Sequence, residues 1–205
     1  MNNYNRQFRS FCPTIPQEQQ LWRQQQQQRP LVIEIGPGVG LHPIRYAQQN
    51  PNNYIIGIER TTDKFNKFAG RVAHHPQLNN VLPIHADAVE WISSNIRANE
   101  VGKYFLLYPN PYPKAAQKNK RLMHMPFMQY LIATMQIGAS LTLATNMEFF
   151  YNEAKEIWSQ IACFKIEVDR VLHAGDIEPR THFERKYLAA GQTCYELVFV
   201  KVIQA

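Results

Sequence analysis

The chain has 205 residues, of which 45% are apolar, and its formal net charge is +6. This size and composition suit one domain with a single core, and the basic charge is compatible with a nucleic-acid partner. The three cysteines, Cys12, Cys163 and Cys194, form no Cys-x-x-Cys pair, so neither a disulfide framework nor a zinc site is expected. No apolar run is as long as a membrane span, and the first residues lack the apolar core of a signal peptide. We therefore expect a cytoplasmic protein without a metal ion.

The first 30 residues differ in composition from the rest of the chain. They include the glutamine-rich tract PQEQQLWRQQQQQRP, which is bounded by prolines. Polar tracts of this kind bury little surface and often remain mobile. The sequence therefore predicts a flexible arm at residues 1–30, disordered or partly helical, and one folded domain at residues 31–205.

From Leu31 onward, short apolar runs alternate with segments of helical periodicity. The predicted strands, in chain order, are LVIEIG, NYIIGIE, VLPIHAD, YFLLY, ASLTLAT, CFKIEVDRVL and CYELVFVKVI. The predicted helices are LHPIRYAQQN, DKFNKFAGRVAHH, AVEWISSNIRA, MPFMQYLIATMQIG, which should end at Gly138, and MEFFYNEAKEIWSQIA. This alternation predicts an α/β fold with right-handed βαβ units and a mostly parallel sheet. Ligands of such folds bind beyond the carboxyl ends of the strands.

A glycine-rich turn, EIGPGVG, directly follows the first predicted strand. Gly36, Gly38 and Gly40 allow a tight turn and let the backbone approach a ligand with no Cβ in the way. Their spacing is Gly-x-Gly-x-Gly and not the Gly-x-Gly-x-x-Gly of the dinucleotide fingerprint. Glu34 at the end of the strand would repel a phosphate but attract a cationic ligand, such as a sulfonium amino acid with a free ammonium group.

Acidic residues also end the next two predicted strands. Glu59 lies 19 residues after Gly40, where a carboxylate can accept hydrogen bonds from both hydroxyls of a ribose. Asp87, followed by Ala88, ends the third strand and is suited to accept from an adenine amino group or to cap the next helix. The predicted ligand is S-adenosylmethionine, bound by Glu34, Gly36, Gly38, Gly40, Glu59, Asp87 and Ala88.

The fourth predicted strand ends in YPNPYPKAAQKNKRL, in which three prolines precede a basic cluster. Together with EIGPGVG, LATNMEFF and THFERKYLAAGQTCYEL, this segment resembles the motifs of the bacterial tRNA (guanine-N7)-methyltransferases, in order, over residues 31–203. The resemblance implies a class I S-adenosylmethionine-dependent methyltransferase domain at residues 31–205. Its Rossmann-like sheet would have seven mostly parallel strands, the last one antiparallel. The resemblance also implies that tRNA is the substrate and that Lys114, Thr181 and Glu184 face it.

The chain departs from this family on the substrate side. The catalytic aspartate of the family corresponds to Asn110, its tryptophan to Tyr112, and its second aspartate to Asn146. Guanine N7 has a free lone pair, so its methylation needs alignment and not a general base. An asparagine keeps one contact with the donor edge of guanine but places a donor where a second acceptor is needed. We assign catalysis to Asn110 and substrate binding to Asn146.

Three functions are compatible with these residues. The first is N7 methylation of a guanine in tRNA, and the second is a weak or inactive homologue that binds the cofactor and RNA. The third is methylation of an amino group of adenine or cytosine, because Asn-Pro-Tyr-Pro is similar to the Asn-Pro-Pro-Tyr of such enzymes, one residue out of step. In each case the cations after this motif are predicted to bind phosphates. These cations are Lys114, Lys118, Lys120 and Arg121. The protein is expected to be a monomer or a homodimer.

Overall fold

The computed structural model describes residues 17–203, so the first part of the predicted arm, with Cys12, lies outside the described residues. The strands of the described part are β1 (Leu31–Ile35), β2 (Tyr54–Glu59), β3 (Val81–His85), β4 (Val101–Leu107), β5 (Met135–Thr145), β6 (Phe164–Leu172) and β7 (Cys194–Lys201). Its α-helices are α1 (Gln17–Gln26), α2 (Leu41–Gln49), α3 (Thr62–Ala73), α4 (Ala88–Asn95), α5 (Phe127–Thr134), α6 (Glu148–Ser159) and α7 (His182–Ala189). Two 3-10 segments, Ala115–Lys120 and Leu122–His124, connect β4 to α5. None of the described helices is long and apolar enough to cross a membrane.

The strands form one seven-stranded sheet in the order β3-β2-β1-β4-β5-β7-β6. Strands β1 to β5 pair in parallel, whereas β7 is antiparallel to both of its neighbours. The central strands are buried on both faces, and all six residues of β2 are buried, as expected for an apolar run beneath helices on both sides. The predicted α/β fold, with its antiparallel last strand, is confirmed.

One predicted boundary is wrong. The helix expected to extend to Gly138 ends at Thr134, and β5 already begins at Met135, which pairs with Val101 of β4. The buried Lys201 explains the early end, because its ammonium group donates to the carbonyl oxygen of Met135 at 2.8 Å and to that of Ile132 at 3.0 Å. A lysine that satisfies the last carbonyls of a helix fixes where the helix stops.

Phe68 of α3 fixes the glycine-rich turn against the sheet. Its ring is fully buried and lies against Gly40 at the start of α2 and Gly57 in β2. A Cβ at Gly57 would lie 2.6 Å from the ring, and a Cβ at Gly40 would overlap it. Both glycines are therefore needed for this close approach of helix and strand.

Part of the arm that was predicted to be flexible is a packed helix. Trp22 of α1 is 3% exposed, and its ring centroid lies 5.9 Å from that of Trp91 in α4. Arg23 forms an ion pair with Glu100 and donates to the carbonyl oxygen of Asn95. One indole buries enough apolar surface to dock a helix of otherwise polar residues. The domain boundary at residue 30 stays a prediction.

We predict that Trp22→Ala lowers the free energy of unfolding by about 3–5 kcal/mol, because it removes a large buried ring and leaves a cavity. Leu21→Ala is the matched control, since Leu21 is 50% exposed on the same helix, and a change there should stay within about 0.5 kcal/mol. Chemical denaturation of the full chain measures both. Equal stabilities for the two variants would show that α1 does not contribute to the folded core.

Candidate active site

A cavity of 1030 Å³ opens at the carboxyl ends of the parallel strands. It lies over β1 and β4, where the strand order changes direction and α/β folds bind their ligands. The predicted site residues that line it are Glu34, Gly36, Gly38, Glu59, Asp87, Ala88, Asn110, Asn146 and Thr181. Four others, Gly40, Lys114, Arg121 and Glu184, are not among its lining residues.

The glycine-rich turn presents open backbone to the cavity. Gly36 and Gly38 have φ angles of +73° and +61°, in the left-handed region that glycine adopts without strain. A Cβ added at either position would have no atom within 4 Å, so the backbone borders space that a ligand can fill. Gly40 differs, because its α-carbon faces Phe68. Its role is therefore in packing, and the prediction that it contacts the ligand is not supported.

Glu34 is buried and paired with a residue that the sequence analysis missed. The Nδ1 atom of His42, in the first turn of α2, lies 2.6 Å from Oε2 of Glu34. Both side chains line the cavity, and the His42 ring packs edge-on against Phe105 at a centroid distance of 4.6 Å. Because a carboxylate can only accept hydrogen bonds, a donor at Nδ1 of His42 holds the Glu34 carboxylate in a fixed orientation. Its position one turn beyond the glycines is the only sequence signal for His42.

The carboxylate of Glu59 connects the end of β2 to the glycine-rich turn. One oxygen accepts from the backbone N–H of Gly38 at 3.0 Å, and the other accepts from that of Thr61 at 2.8 Å. Each carboxylate oxygen has two lone pairs, so each can accept a further hydrogen bond from a ligand hydroxyl. The structure therefore fixes the orientation of Glu59 before a ligand binds.

Asp87 caps α4, which is one of the two roles expected for it. Its Oδ1 atom accepts from the backbone N–H of Val89 at 2.9 Å, and its Oδ2 atom lies 3.8 Å from the guanidinium of Arg60. Capping occupies one oxygen and leaves the other at the cavity. Asp87 can thus cap the helix and contact a ligand at the same time.

The loop after β4 holds Asn110 in a compact turn. The Oδ1 atom of Asn110 accepts from the backbone N–H of Tyr112 at 3.1 Å, as in an Asx turn. Tyr108 and Tyr112 on either side have φ angles of +53° and +45°, which are uncommon for residues other than glycine. The bond occupies one of the two lone pairs of the oxygen, while both N–H groups of the Asn110 amide remain to donate to a ligand.

Arg121 does not have its predicted role. It is 7% exposed, and its Nε and Nη2 atoms donate to the carbonyl oxygen of Tyr112 at 3.2 and 2.9 Å. Its Nη1 atom pairs with Glu153 of α6. Burial alone would raise the pKa of Glu153, but hydrogen bonds from His124 and Arg121 outweigh it and hold that pKa below its usual range. Arg121 therefore clamps the loop to α6 and is not free to bind a phosphate.

Three lysines of the same cluster remain at the surface, and one of them, Lys118, lies 3.7 Å from Glu153. Lys114 is exposed and caps the first 3-10 segment, outside the cavity lining. Lys120 is exposed, lines the cavity, and lies with its Nζ atom 5.9 Å from the ring centroid of Tyr112. Among the predicted cations, Lys120 is thus the one placed next to the candidate site.

The prediction that Glu184 faces the substrate is also corrected, because its carboxylate lies in the protein interior. It is 0% exposed and accepts hydrogen bonds from the Tyr108 hydroxyl at 3.0 Å and from the Arg180 backbone and guanidinium, each at 2.6 Å. Arg180 also pairs with Glu196 of β7. This buried network joins the end of β4 to α7 and the last strand, and protein groups therefore occupy the Glu184 carboxylate.

The Thr-x-x-Glu motif is explained by helix capping. Thr181 lines the cavity and caps α7, where its Oγ1 atom accepts from the backbone N–H of Glu184 at 3.0 Å. Glu184 in turn reaches back to the backbone N–H of Arg180, one residue before the position that a capping box uses. The spacing of threonine and glutamate is the sequence signal that identifies this structural role.

Asn146 lies across the cavity from the Asn110 loop, after β5. Its amino group donates to Oε1 of Gln192 at 3.1 Å. This bond leaves the amide oxygen of Asn146 as an acceptor for a ligand. The two amides therefore offer different ends to the cavity, an amino group from Asn110 and an oxygen from Asn146.

Comparison with known proteins identifies the family of the chain. The model of the family described as "Putative methyltransferase" matches residues 28–197, and the chain belongs to this methyltransferase family. It is 28% identical to the tRNA (guanine-N(7)-)-methyltransferase of Burkholderia thailandensis, over 84% of this chain and 64% of that protein. It is 29% identical to the protein of the same name from Aquifex aeolicus, over 84% of this chain and 57% of that protein. The chain thus spans somewhat less than two thirds of the length of these relatives.

Solved structures support the fold. The 16S rRNA methyltransferase KamB superposes with a TM-score of 0.68 at 20% identity, over 89% of this chain and 93% of that chain. A 16S rRNA (adenine(1408)-N(1))-methyltransferase from Catenulisporales acidiphilia with its cosubstrate, S-adenosylmethionine, superposes with a TM-score of 0.66 at 14% identity, over 90% and 92% of the chains. The predicted class I methyltransferase fold and the resemblance to the tRNA (guanine-N7)-methyltransferases are confirmed.

We predict that Glu184→Gln removes a pH-dependent part of the stability. Burial would raise the pKa of Glu184, but Arg180 outweighs it and lowers that pKa. The charged carboxylate therefore stabilises the fold fully above its unfolded pKa of about 4.3, and this contribution is lost as the pH falls through the lower, folded pKa. At pH 7 the variant should lose about 3 kcal/mol.

Denaturation curves at several pH values between 3 and 7 test this. The gap in stability between the native chain and Glu184→Gln should narrow on acidification. Glu167→Gln, at an exposed position in β6, should follow the native pH dependence. A gap that stays constant at every pH would contradict a charged Glu184 in the folded state.

Proposed function

We propose that this protein transfers a methyl group from S-adenosylmethionine to N7 of a guanine in tRNA. The observation that carries the proposal is the shared cavity, in which the acidic and glycine residues of β1, β2 and β3 face the Asn110 loop and the start of α7. The name of the related proteins, tRNA (guanine-N(7)-)-methyltransferase, supports the same activity.

The cavity residues that follow β1, β2 and β3 fit S-adenosylmethionine in charge and in shape. Glu34, Glu59 and Asp87 place three carboxylates around the cavity, which suits a ligand with an ammonium and a sulfonium group. Gly36 and Gly38 leave space for the ligand beside the backbone. Glu34 would take the ammonium group, Glu59 the ribose hydroxyls, and the second oxygen of Asp87 the adenine. When bound, the cofactor supplies a methyl group on a positively charged sulfur.

The cavity residues of the loop after β4 and of α7 can bind a nucleobase. Rings from the β4 loop and from α7 line the cavity, and such rings stack on bases. They belong to Tyr108, Tyr112, His182, Phe183 and Tyr187. Lys120 at the rim is placed to contact a phosphate. Because N7 needs no proton removed, the main task of these residues is to hold the base in line with the methyl group.

The two amides should make the reaction slower than carboxylates would. The amino end of Asn110 presents donors to the donor edge of guanine, which is a mismatched contact costing about 1–3 kcal/mol when buried. This corresponds to about one to two decades in rate. N7 methylation also makes the base cationic, and an amide stabilises that charge less well than a carboxylate does.

We also propose that the protein acts in the cytoplasm, where tRNA is available. The described cysteines, Cys163 and Cys194, are free and buried. Free thiols are typical of a reducing compartment.

We predict that Glu59→Ala weakens S-adenosylmethionine binding by at least tenfold, because the variant loses the ribose contact, worth about 1.5–3 kcal/mol for a charged acceptor, and releases the backbone of the turn. Calorimetry measures the affinity. Glu90→Ala is the control, because Glu90 is an exposed acid on nearby α4. Unchanged affinity in Glu59→Ala would remove Glu59 from the cofactor site.

The activity itself is tested by incubating the full chain with unmodified tRNA and labelled S-adenosylmethionine, followed by nucleoside mass spectrometry. We expect 7-methylguanosine. A methylated adenosine or cytidine would show that the substrate base is adenine or cytosine and not guanine. Measurable cofactor binding with no methylated nucleoside from any tRNA would indicate a homologue that has lost the chemistry.

In the same assay, we predict that Asn110→Asp raises the single-turnover rate about 10- to 100-fold, since the mismatch is removed. An aspartate oxygen can still accept from the Tyr112 backbone N–H, so the turn is retained. Asn119→Asp is the control, because Asn119 lines the same cavity and undergoes the same change in charge. A slower reaction in Asn110→Asp would show that Asn110 serves a different base.

A further inference from the structure

Helix α3 carries a row of exposed cations on one side. Lys64, Lys67 and Arg71 are three and four residues apart and therefore lie on the same helical face. Arg60, in the loop before the helix, is also exposed and precedes Lys64 by four residues. We refer to these four residues as the α3 cation row.

The α3 cation row begins at the cavity and leads away from it. Arg60 and Lys64 line the cavity, and the Nζ atom of Lys64 lies 5.9 Å from the ring centroid of Phe183 in α7. Because α3 follows the carboxyl end of β2, Lys67 and Arg71 lie progressively farther down the side of the molecule. Seven residues separate Lys64 from Arg71, which is about 10 Å along the helix.

Among the described residues, three members of the α3 cation row have no carboxylate partner, whereas Arg60 lies 3.8 Å from Asp87. Arg23, Arg121 and Arg180 are each neutralised by buried or half-buried carboxylates. In the part of the chain from residue 17 to 203, neither Lys64 nor Lys67 is in an ion pair, and Arg71 donates instead to the carbonyl oxygen of Val39 at 3.0 Å.

Asp63 partly neutralises the positive charge of the α3 cation row. Asp63 is also on α3, four residues before Lys67, and can contact it on the helix surface. A second acid, Asp87, lies 3.8 Å from Arg60, whereas Lys64 and Arg71 have no acidic neighbour three or four residues away on α3. Four cations against these two acids leave the α3 cation row with a net positive charge.

We propose that the α3 cation row binds the phosphate backbone of the RNA strand that leads away from the target nucleotide. Cations spaced about one helical turn apart suit a polyanion with regularly repeated charges. This inference rests on the proposed function, because it requires an RNA substrate in the cavity. It assigns to α3 a role in substrate affinity that is separate from the chemistry.

The test compares two single variants of the full chain. Lys67→Gln removes one cation of the row and leaves both the cavity residues and the hydrogen bond from Arg71 to Val39 unchanged. Lys165→Gln is the matched control, because it removes the same charge from an exposed position at the start of β6. This position lies on the edge of the sheet opposite the cavity.

Binding of fluorescently labelled, unmodified tRNA is measured by anisotropy at several salt concentrations. We expect the slope of log affinity against log salt to become shallower by about 0.8 in the row variant, because a lost phosphate contact removes about 0.7–0.9. Its affinity for tRNA at low salt should fall about three- to tenfold, its KM for tRNA should rise with kcat unchanged, and its affinity for S-adenosylmethionine should remain native. The control should keep the native slope.

Three results would overturn the inference. A native slope in the row variant would show that α3 does not contact the RNA, and it would leave the proposed function intact. An equal loss in the row variant and the control would show an effect of net charge only. If the native chain does not bind tRNA but binds vesicles of anionic lipid through the row, the partner is a membrane surface, and the proposed function fails as well.

Discussion

The architecture of the site depends on one buried carboxylate that must keep its partners. Glu184 is fully buried and bonded to Tyr108 at the end of β4 and to Arg180 before α7, which also pairs with Glu196 of β7. Leaving one such charge unpaired in the interior costs several kcal/mol, so these three elements are held in a fixed arrangement. The substrate side of the cavity, from the Asn110 loop to Thr181, is built on that arrangement.

The sheet and the cofactor side could be predicted from sequence because both follow from local patterns. Strands buried on both faces give apolar runs, and the topology then brings Glu34, Glu59 and Asp87 to one edge. The Thr-x-x-Glu spacing indicates that Glu184 belongs to a helix cap, but the burial of Glu184 and Arg121 could not be predicted. Each has one partner far away in the chain, Tyr108 at 76 residues and Glu153 at 32 residues, and no local motif shows that these charged residues are buried.

The substrate side combines a retained framework with altered chemistry. Asn110 still closes its turn through an oxygen that an aspartate would also supply, and Asn146 is held by Gln192. The change from carboxylate to amide therefore alters charge and hydrogen-bond polarity in the cavity with little effect on the backbone. A site of this kind can change its preferred base without any change in fold.

The two tyrosines in left-handed backbone conformation, Tyr108 and Tyr112, have a consequence for how the loop can evolve. Each such residue costs about 1–3 kcal/mol relative to a relaxed conformation, so Tyr112→Gly would relieve strain in the loop. Tyr108→Gly would relieve the same strain but would remove the hydroxyl that donates to the buried Glu184. Either change would also remove an aromatic ring from the cavity, so the loop keeps these rings at a cost in stability.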